Sequence, residues 1–265
     1  MNYLPNNIKA IIIDVDGGAK DEKPTAEYVG RELIKSQFPL HPIRLYKGLR
    51  GLREVKKVIR EYENEKNAYG LQKFFEVVGR TLNVDKTNLY EITKKVIDKK
   101  KIEGFAEFSK KLDNEEIIKF FSTGGYETSV LASMMLFNGR AGAANPLIWY
   151  NPDKTEVHGS EITYIDSRGL LKGLPETKKG AVVKNCLISI KNSEDKRRIN
   201  EKMVEIFGIK KEEVAVLEND KLGHSSMKAF GFPIASPLAD QETIDVALEN
   251  DGIHIEDYKS LVDSN

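Results

Sequence analysis

The run Ile11-Ile12-Ile13, followed at once by Asp14-Val15-Asp16-Gly17-Gly18, constrains this chain more than any other segment. A strand of bare apolar residues belongs in a parallel sheet covered on both faces, and such sheets bind ligands beyond the carboxyl ends of their strands. Side chains at i and i+2 on an extended segment point the same way, so Asp14 and Asp16 can face one site. Two close anions there favour a divalent cation such as Mg²⁺. Gly17 and Gly18 then turn the chain away. The plainer alternative is a strand end and a turn without a site, since Asp and Gly are common turn formers.

Three further strand ends follow. Ile117-Ile118-Lys119-Phe120-Phe121 leads into Ser122-Thr123-Gly124-Gly125-Tyr126 and then an amphipathic helix. A hydroxyl and a free N–H near a helix start can hold phosphoryl oxygens, or the hydroxyl simply caps the helix. Lys196-Arg197-Arg198-Ile199, continuing through Met203, Ile206 and Phe207 to Gly208, has helical apolar spacing and a glycine stop. Val214-Ala215-Val216-Leu217 reads as a buried strand ending in Glu218-Asn219-Asp220-Lys221-Leu222-Gly223-His224, and a helix, a glycine and a short strand follow over Met227–Ala235.

In this order the four segments resemble the haloacid dehalogenase-like hydrolases, most closely their phosphoserine-phosphatase-like branch. Ala144-Asn145-Pro146-Leu147 and Asp166-Ser167-Arg168-Gly169-Leu170-Leu171-Lys172-Gly173 are similar to hairpin elements of that branch. The resemblance implies that Asp14 attacks phosphorus and that Asp16 serves as general acid and then base. Thr123, with Ser122 as its rival, holds the phosphoryl group beside Gly124. Lys196 is the fixed cation, with Lys191 and Lys184 as fallbacks. Mg²⁺ is expected on Asp14, Asp16 and the fourth segment. There the family carries Gly-Asp and a second Asp four residues on, whereas this chain has Asn219 and Gly223 at the two acidic positions. Asn219 can ligate through its carbonyl, and Asp220 or Glu218 can supply an acid if the turn shifts. Gly18 stands where the family usually has Thr or Val, and Lys23, with Glu22 beside it, where phosphoserine phosphatases place a substrate-binding glutamate.

The implied architecture is α/β, a doubly wound, mostly parallel sheet formed by residues 1–19 and 113–265, with a helical cap inserted over 20–112. Helical patterns run from Pro24 to Ile34, Leu52 to Glu63, Leu71 to Leu82 and Leu89 to Leu112. In 265 residues, Lys plus Arg and Asp plus Glu number 41 each, which argues against a broad nucleic-acid footprint. Membrane-length apolar stretches and a secretory leader pattern are both lacking, and Cys186 is the single cysteine, suiting a reducing, cytoplasmic setting. The function expected is a Mg²⁺-dependent phosphatase acting on a small phosphorylated metabolite through an aspartyl-phosphate. The alternative is a degenerate member that binds a phosphorylated ligand or a protein partner without turnover, as the altered fourth segment suggests.

Overall fold

Strand β1 (Ala10–Asp14) is buried along its whole length, and the alternation of its side chains decides what its last residue can touch. The computed structural model describes residues 4–36, 42–61 and 66–263. Among the described residues, five helices follow β1: α1 (Thr25–Ser36), α2 (Pro42–Glu61), α3 (Lys66–Thr81), α4 (Lys86–Lys100) and α5 (Phe105–Asn114). The chain then forms β2 (Ile118–Tyr126), α6 (Glu127–Phe137), β3 (Ala141–Asn145), β4 (Leu147–Tyr150), β5 (Glu156–His158), β6 (Ile162–Ile165), β7 (Leu171–Lys172) and β8 (Val182–Cys186). It ends with α7 (Ser193–Ile206), β9 (Val214–Glu218), α8 (His224–Ala229), β10 (Phe232–Ala235), α9 (Gln241–Glu249), β11 (Ile253–His254) and α10 (Tyr258–Asp263).

The main sheet has the order β11-β10-β9-β1-β2-β3-β6-β7, parallel from β11 to β3 and antiparallel at the β6-β7 edge. Helices cover both faces. Ile11 and Ile13 pack with Phe105, Phe108, Val130 and Tyr258, while Ala10 and Ile12 pack on the opposite face with Ile199, Met203 and Met227. β9 repeats the split, with Ala215 and Leu217 on the first face and Val214 and Val216 on the second. Each isoleucine, valine or leucine buried this way contributes about 1.5–3 kcal/mol, so both strands are firmly registered. The period of two then sends the next residues in line, Asp14 and Glu218, to the face covered by α7.

The expected helical segment after β1 is present, with two differences. The stretch read as one helix from Leu89 to Leu112 is two, because Gly104 adopts φ +80 and ends the continuity between α4 and α5. The second expected helix begins already at Pro42, a residue suited to a first helical turn, and residues 62 and 63 of that expectation lie outside the described residues. Helix α5 joins the cluster under the main sheet. Helices α1, α3 and α4 instead pack through Val29, Leu33, Phe75 and Leu89 against Leu147, Trp149 and Val183 of a second, three-stranded sheet, β5-β4-β8. Cys186 is buried in the same cluster, as core filler.

Glu127 couples the two sheets. Its buried carboxylate accepts from Trp149 Nε1 at 3.1 Å and from Leu147 N at 3.3 Å, tying the start of α6 to β4. Burial pushes this carboxyl up from 4.5 to about 7, against the pull of those two bonds and of Lys86. A carboxyl whose folded pKa is raised contributes stability that is fully present below the unfolded value and is lost as pH rises through the folded one. The shift corresponds to about 3 kcal/mol. Unfolding midpoints are therefore expected to decline between about pH 5 and pH 8, and Glu127→Gln to flatten that decline. A variant that keeps the wild-type slope would remove Glu127 as its source.

Candidate active site

Asp14, delivered to the α7 face, accepts from Lys196 Nζ at 2.6 Å. Lys196 lies near the start of α7, whose N-cap Asn192 accepts from Asp195 N, and its side chain is fully buried. The same ammonium donates to Glu218 Oε2 at 2.7 Å. Burial raises the Asp14 carboxyl well above the usual carboxylate range, Lys196 pulling it down and Glu218 and Asp220 pushing it further up. Burial likewise brings Glu218 to about 7 against the pull of Lys196. Burial acts against the charge on Lys196 too, but Asp14 and Glu218 outweigh it and hold the ammonium above its ordinary range. Two buried carboxylates thus share one cation.

Asp16 is held differently. Its Oδ1 accepts from Thr25 Oγ1 at 2.6 Å and Thr25 N at 3.2 Å and lies 3.1 Å from Lys20 Nζ, whereas among the described residues Oδ2 has only a 3.4 Å contact to Thr25 N. Lys20 is completely buried and also donates to Asp21 Oδ1, Asp21 O and Lys23 O. It fastens the segment leading into α1 to the strand-end carboxylate. Sequence reasoning did not single out Lys20 or Thr25. Neither sits in a periodic pattern, and their approach depends on a closed turn in which Ala19 N donates to Asp14 O and Gly17 N to Lys20 O.

At the end of β2 the two hydroxyl candidates part. Thr123 lines the cavity in front of Asp14, and its Oγ1 accepts from Gly125 N at 2.9 Å. Ser122 pairs in register with Asp14 but is buried, and its Oγ has no partner among the described residues. Gly124 lines the cavity, and its carbonyl accepts from Asn145 Nδ2 at 2.7 Å. Asn145 Oδ1 in turn accepts from Ser189 N and Ile190 N, so one side chain braces both the Gly124 turn and the approach to α7.

In the fourth segment Asn219 packs against Gly17, which has φ +105 and no room for a Cβ on that side. With its nitrogen inward, the Asn219 amide donates to Asp16 O at 3.0 Å and Asp14 Oδ2 at 3.3 Å. Turned over, it presents its carbonyl oxygen to the same two atoms. One carboxylate, one main-chain carbonyl and one amide oxygen are hard donors of the kind that suit Mg²⁺. The residues therefore fit that cation, Asp16 through its carbonyl, although among the described residues no three His, Cys, Asp or Glu side chains cluster to hold a metal. Asp220 lines the cavity, its Oδ1 accepting from Leu222 N at 2.8 Å.

The cavity has a volume of about 230 Å³. Asp14, Asp16, Thr123 and Asp220 stand on the sheet side, and Leu71 and Phe74 of α3 on the other. Glu22 and Arg31 also line it, whereas Lys191 is exposed and Lys184 lies over the Tyr150 ring, 5.2 Å from its centroid. Among the described residues no helix is long and apolar enough to cross a membrane.

This arrangement of strands and helices is the haloacid dehalogenase-like fold in its phosphoserine-phosphatase-like form. A substrate-bound phosphoserine phosphatase complex is similar over 96% of this chain and 97% of that chain, with a TM-score of 0.60 and 19% identity. A phosphoserine phosphatase bearing a phospho-aspartyl intermediate analogue matches over 96% and 97%, with a TM-score of 0.59 and 18% identity. A protein of unknown function from Bordetella pertussis Tohama I matches over 94% and 98%, at a TM-score of 0.64 and 9% identity. No protein-family model and no curated protein matches the sequence.

Proposed function

We propose that this protein is a phosphatase of small phosphorylated metabolites, working through an aspartyl-phosphate on Asp14 with Mg²⁺ as cofactor, in an α/β core capped by the helices α1 to α4 inserted after β1. The observation that carries this reading is the buried contact of 2.6 Å between Asp14 and Lys196 at the floor of a cavity rimmed by Asp16 and Thr123. A carboxylate held by a fixed cation is oriented for attack, and the same cation offsets charge that builds on phosphoryl oxygens. Asp14 forms the bond to phosphorus. Asp16, with Oδ2 the less engaged oxygen, gives a proton to the departing oxygen and then takes one from the water that releases phosphate. Thr123 and the Gly124 turn position the phosphoryl group, while α3 screens the cavity from water.

Asp14, the Asp16 carbonyl and Asn219 would hold Mg²⁺, which when bound neutralises phosphoryl charge. An amide in place of a carboxylate gives a weak site. A generic aryl phosphate is therefore expected to turn over only near millimolar Mg²⁺, roughly the weak end for oxygen-donor sites. Asn219→Asp should lower that requirement and, without Mg²⁺, lower the unfolding midpoint, because a third anion then faces Asp14. Asp220→Ala should leave the requirement unchanged; if it raises it sharply and Asn219→Asp does nothing, Asp220 is the ligand. A specific observation favours the second reading, a binder without turnover: the Asn219 amide satisfies Asp14 and Asp16 O by itself. That reading takes over if no turnover appears at any Mg²⁺ concentration.

A further inference from the structure

Glu218 and Gly223 explain each other. Gly223 has φ −86 and ψ −17, ordinary right-handed backbone that any residue adopts, so conformation does not demand glycine there. Space does. A Cβ on Gly223 would fall on Cγ and Cδ of Glu218. The Glu218 side chain thus fills the volume that a side chain at 223 would enter, and from there its Oε2 reaches Lys196 Nζ at 2.7 Å. Its Oε1 is buried with no partner among the described residues, so Lys196 alone holds this carboxylate in place. A carboxylate is almost never kept at zero exposure unless a cation pairs with it, since burial of an unpaired charge is costly, and here that cation is Lys196.

We propose that Glu218 is the positioning residue of Lys196, a carboxylate supplied from the strand end in place of one that could stand at position 223, with Gly223 retained to make room for it. Building on the phosphatase reading, this assigns to Glu218 the task of fixing the ammonium against Asp14. Without Glu218, Lys196 has one carboxylate partner, and that partner must leave it in part to attack phosphorus. The pairing is then an exchange of position that preserves the local charge count, two carboxylates to one ammonium.

An exchange cycle tests it. Glu218→Gln keeps the volume and removes the charge; kcat for an aryl phosphate is expected to fall on the order of tenfold to a hundredfold with KM little changed, the scale of losing a residue that orients a reacting group. Gly223→Asp alone should lower the unfolding midpoint, because the new side chain meets Glu218. Glu218→Ala alone should lower both midpoint and kcat. The double variant Glu218→Ala/Gly223→Asp is expected to regain most of both, and its crystal structure to place Lys196 Nζ within hydrogen-bonding distance of the carboxylate introduced at position 223. Additive losses in the double variant, or wild-type kcat in Glu218→Gln, would overturn the proposal. Should the wild type hydrolyse no aryl phosphate, the phosphatase reading fails, while the unfolding cycle and the position of Lys196 in the double variant still decide whether 218 and 223 are exchangeable.

Discussion

Replacing Asp14 by asparagine is expected to abolish aryl-phosphate turnover while the protein stays folded. The loss should be on the order of 10⁴-fold or more, the scale seen when a covalent nucleophile is removed. Asparagine has the same shape, and Lys196 keeps Glu218 as a partner at 2.7 Å, so the buried cluster goes from two carboxylates and one ammonium to one of each. Burial already works against ionisation of Asp14, and its replacement by a neutral side chain should therefore move the unfolding midpoint little, in either direction. Steady-state assays and thermal unfolding on the same preparation check both halves. Turnover near the wild-type level would take Asp14 out of the mechanism.

Lys196→Met is expected to fail on both counts. Turnover should drop about a hundredfold or more, as when one group that stabilises transition-state charge is lost. Unlike the Asp14 change, this one leaves Asp14 and Glu218 buried with no cation between them, and breaking a buried pair from one side costs about 3–5 kcal/mol. Both carboxyls are already raised by burial, Glu218 to about 7. Groups with raised folded pKa values lose their stabilising contribution as pH rises, so the variant should unfold more readily at pH 8 than at pH 5 by a wider margin than wild type. Lys191 is exposed, and Lys191→Met should change neither property by more than a few tenths of a kcal/mol, as for ordinary surface changes. The reverse pattern would move the cationic role to Lys191.

The local signals in the chain are sufficient for the frame. Ile11-Ile12-Ile13 and Val214-Ala215-Val216-Leu217 are bare apolar runs that only a sheet covered on both faces can bury, and each ends in acids, so two strand ends and Asp14 are legible in the sequence alone. Lys196 is singled out through the family resemblance, which sets its position by counting back from Gly208, the residue at φ +64 just beyond α7. Helix α4 and helix α5 are not separable in this way, because Gly104 interrupts an otherwise continuous apolar spacing that suits either one helix or two.

What only the tertiary structure decided concerns contacts between segments far apart in the chain. Thr123, not Ser122, faces the cavity, since both are hydroxyls on one strand and only the seating of β2 against β1 and β3 tells them apart. Lys20 reaches Asp16 through a turn whose closure no pattern of hydrophobicity records. Glu218 is the instructive case. Its parity with Val214 and Val216 already points it to the second face of the sheet, but that face acquires meaning only when α7 lays Lys196 across it, and Gly223 reads as a missing acid until the Glu218 side chain is seen in its space. A sequence specifies periodicity and local conformation along one dimension. Which carboxylate meets which ammonium is set by packing across 182 residues for Asp14 and 22 for Glu218, where burial, not proximity in the chain, selects the pair.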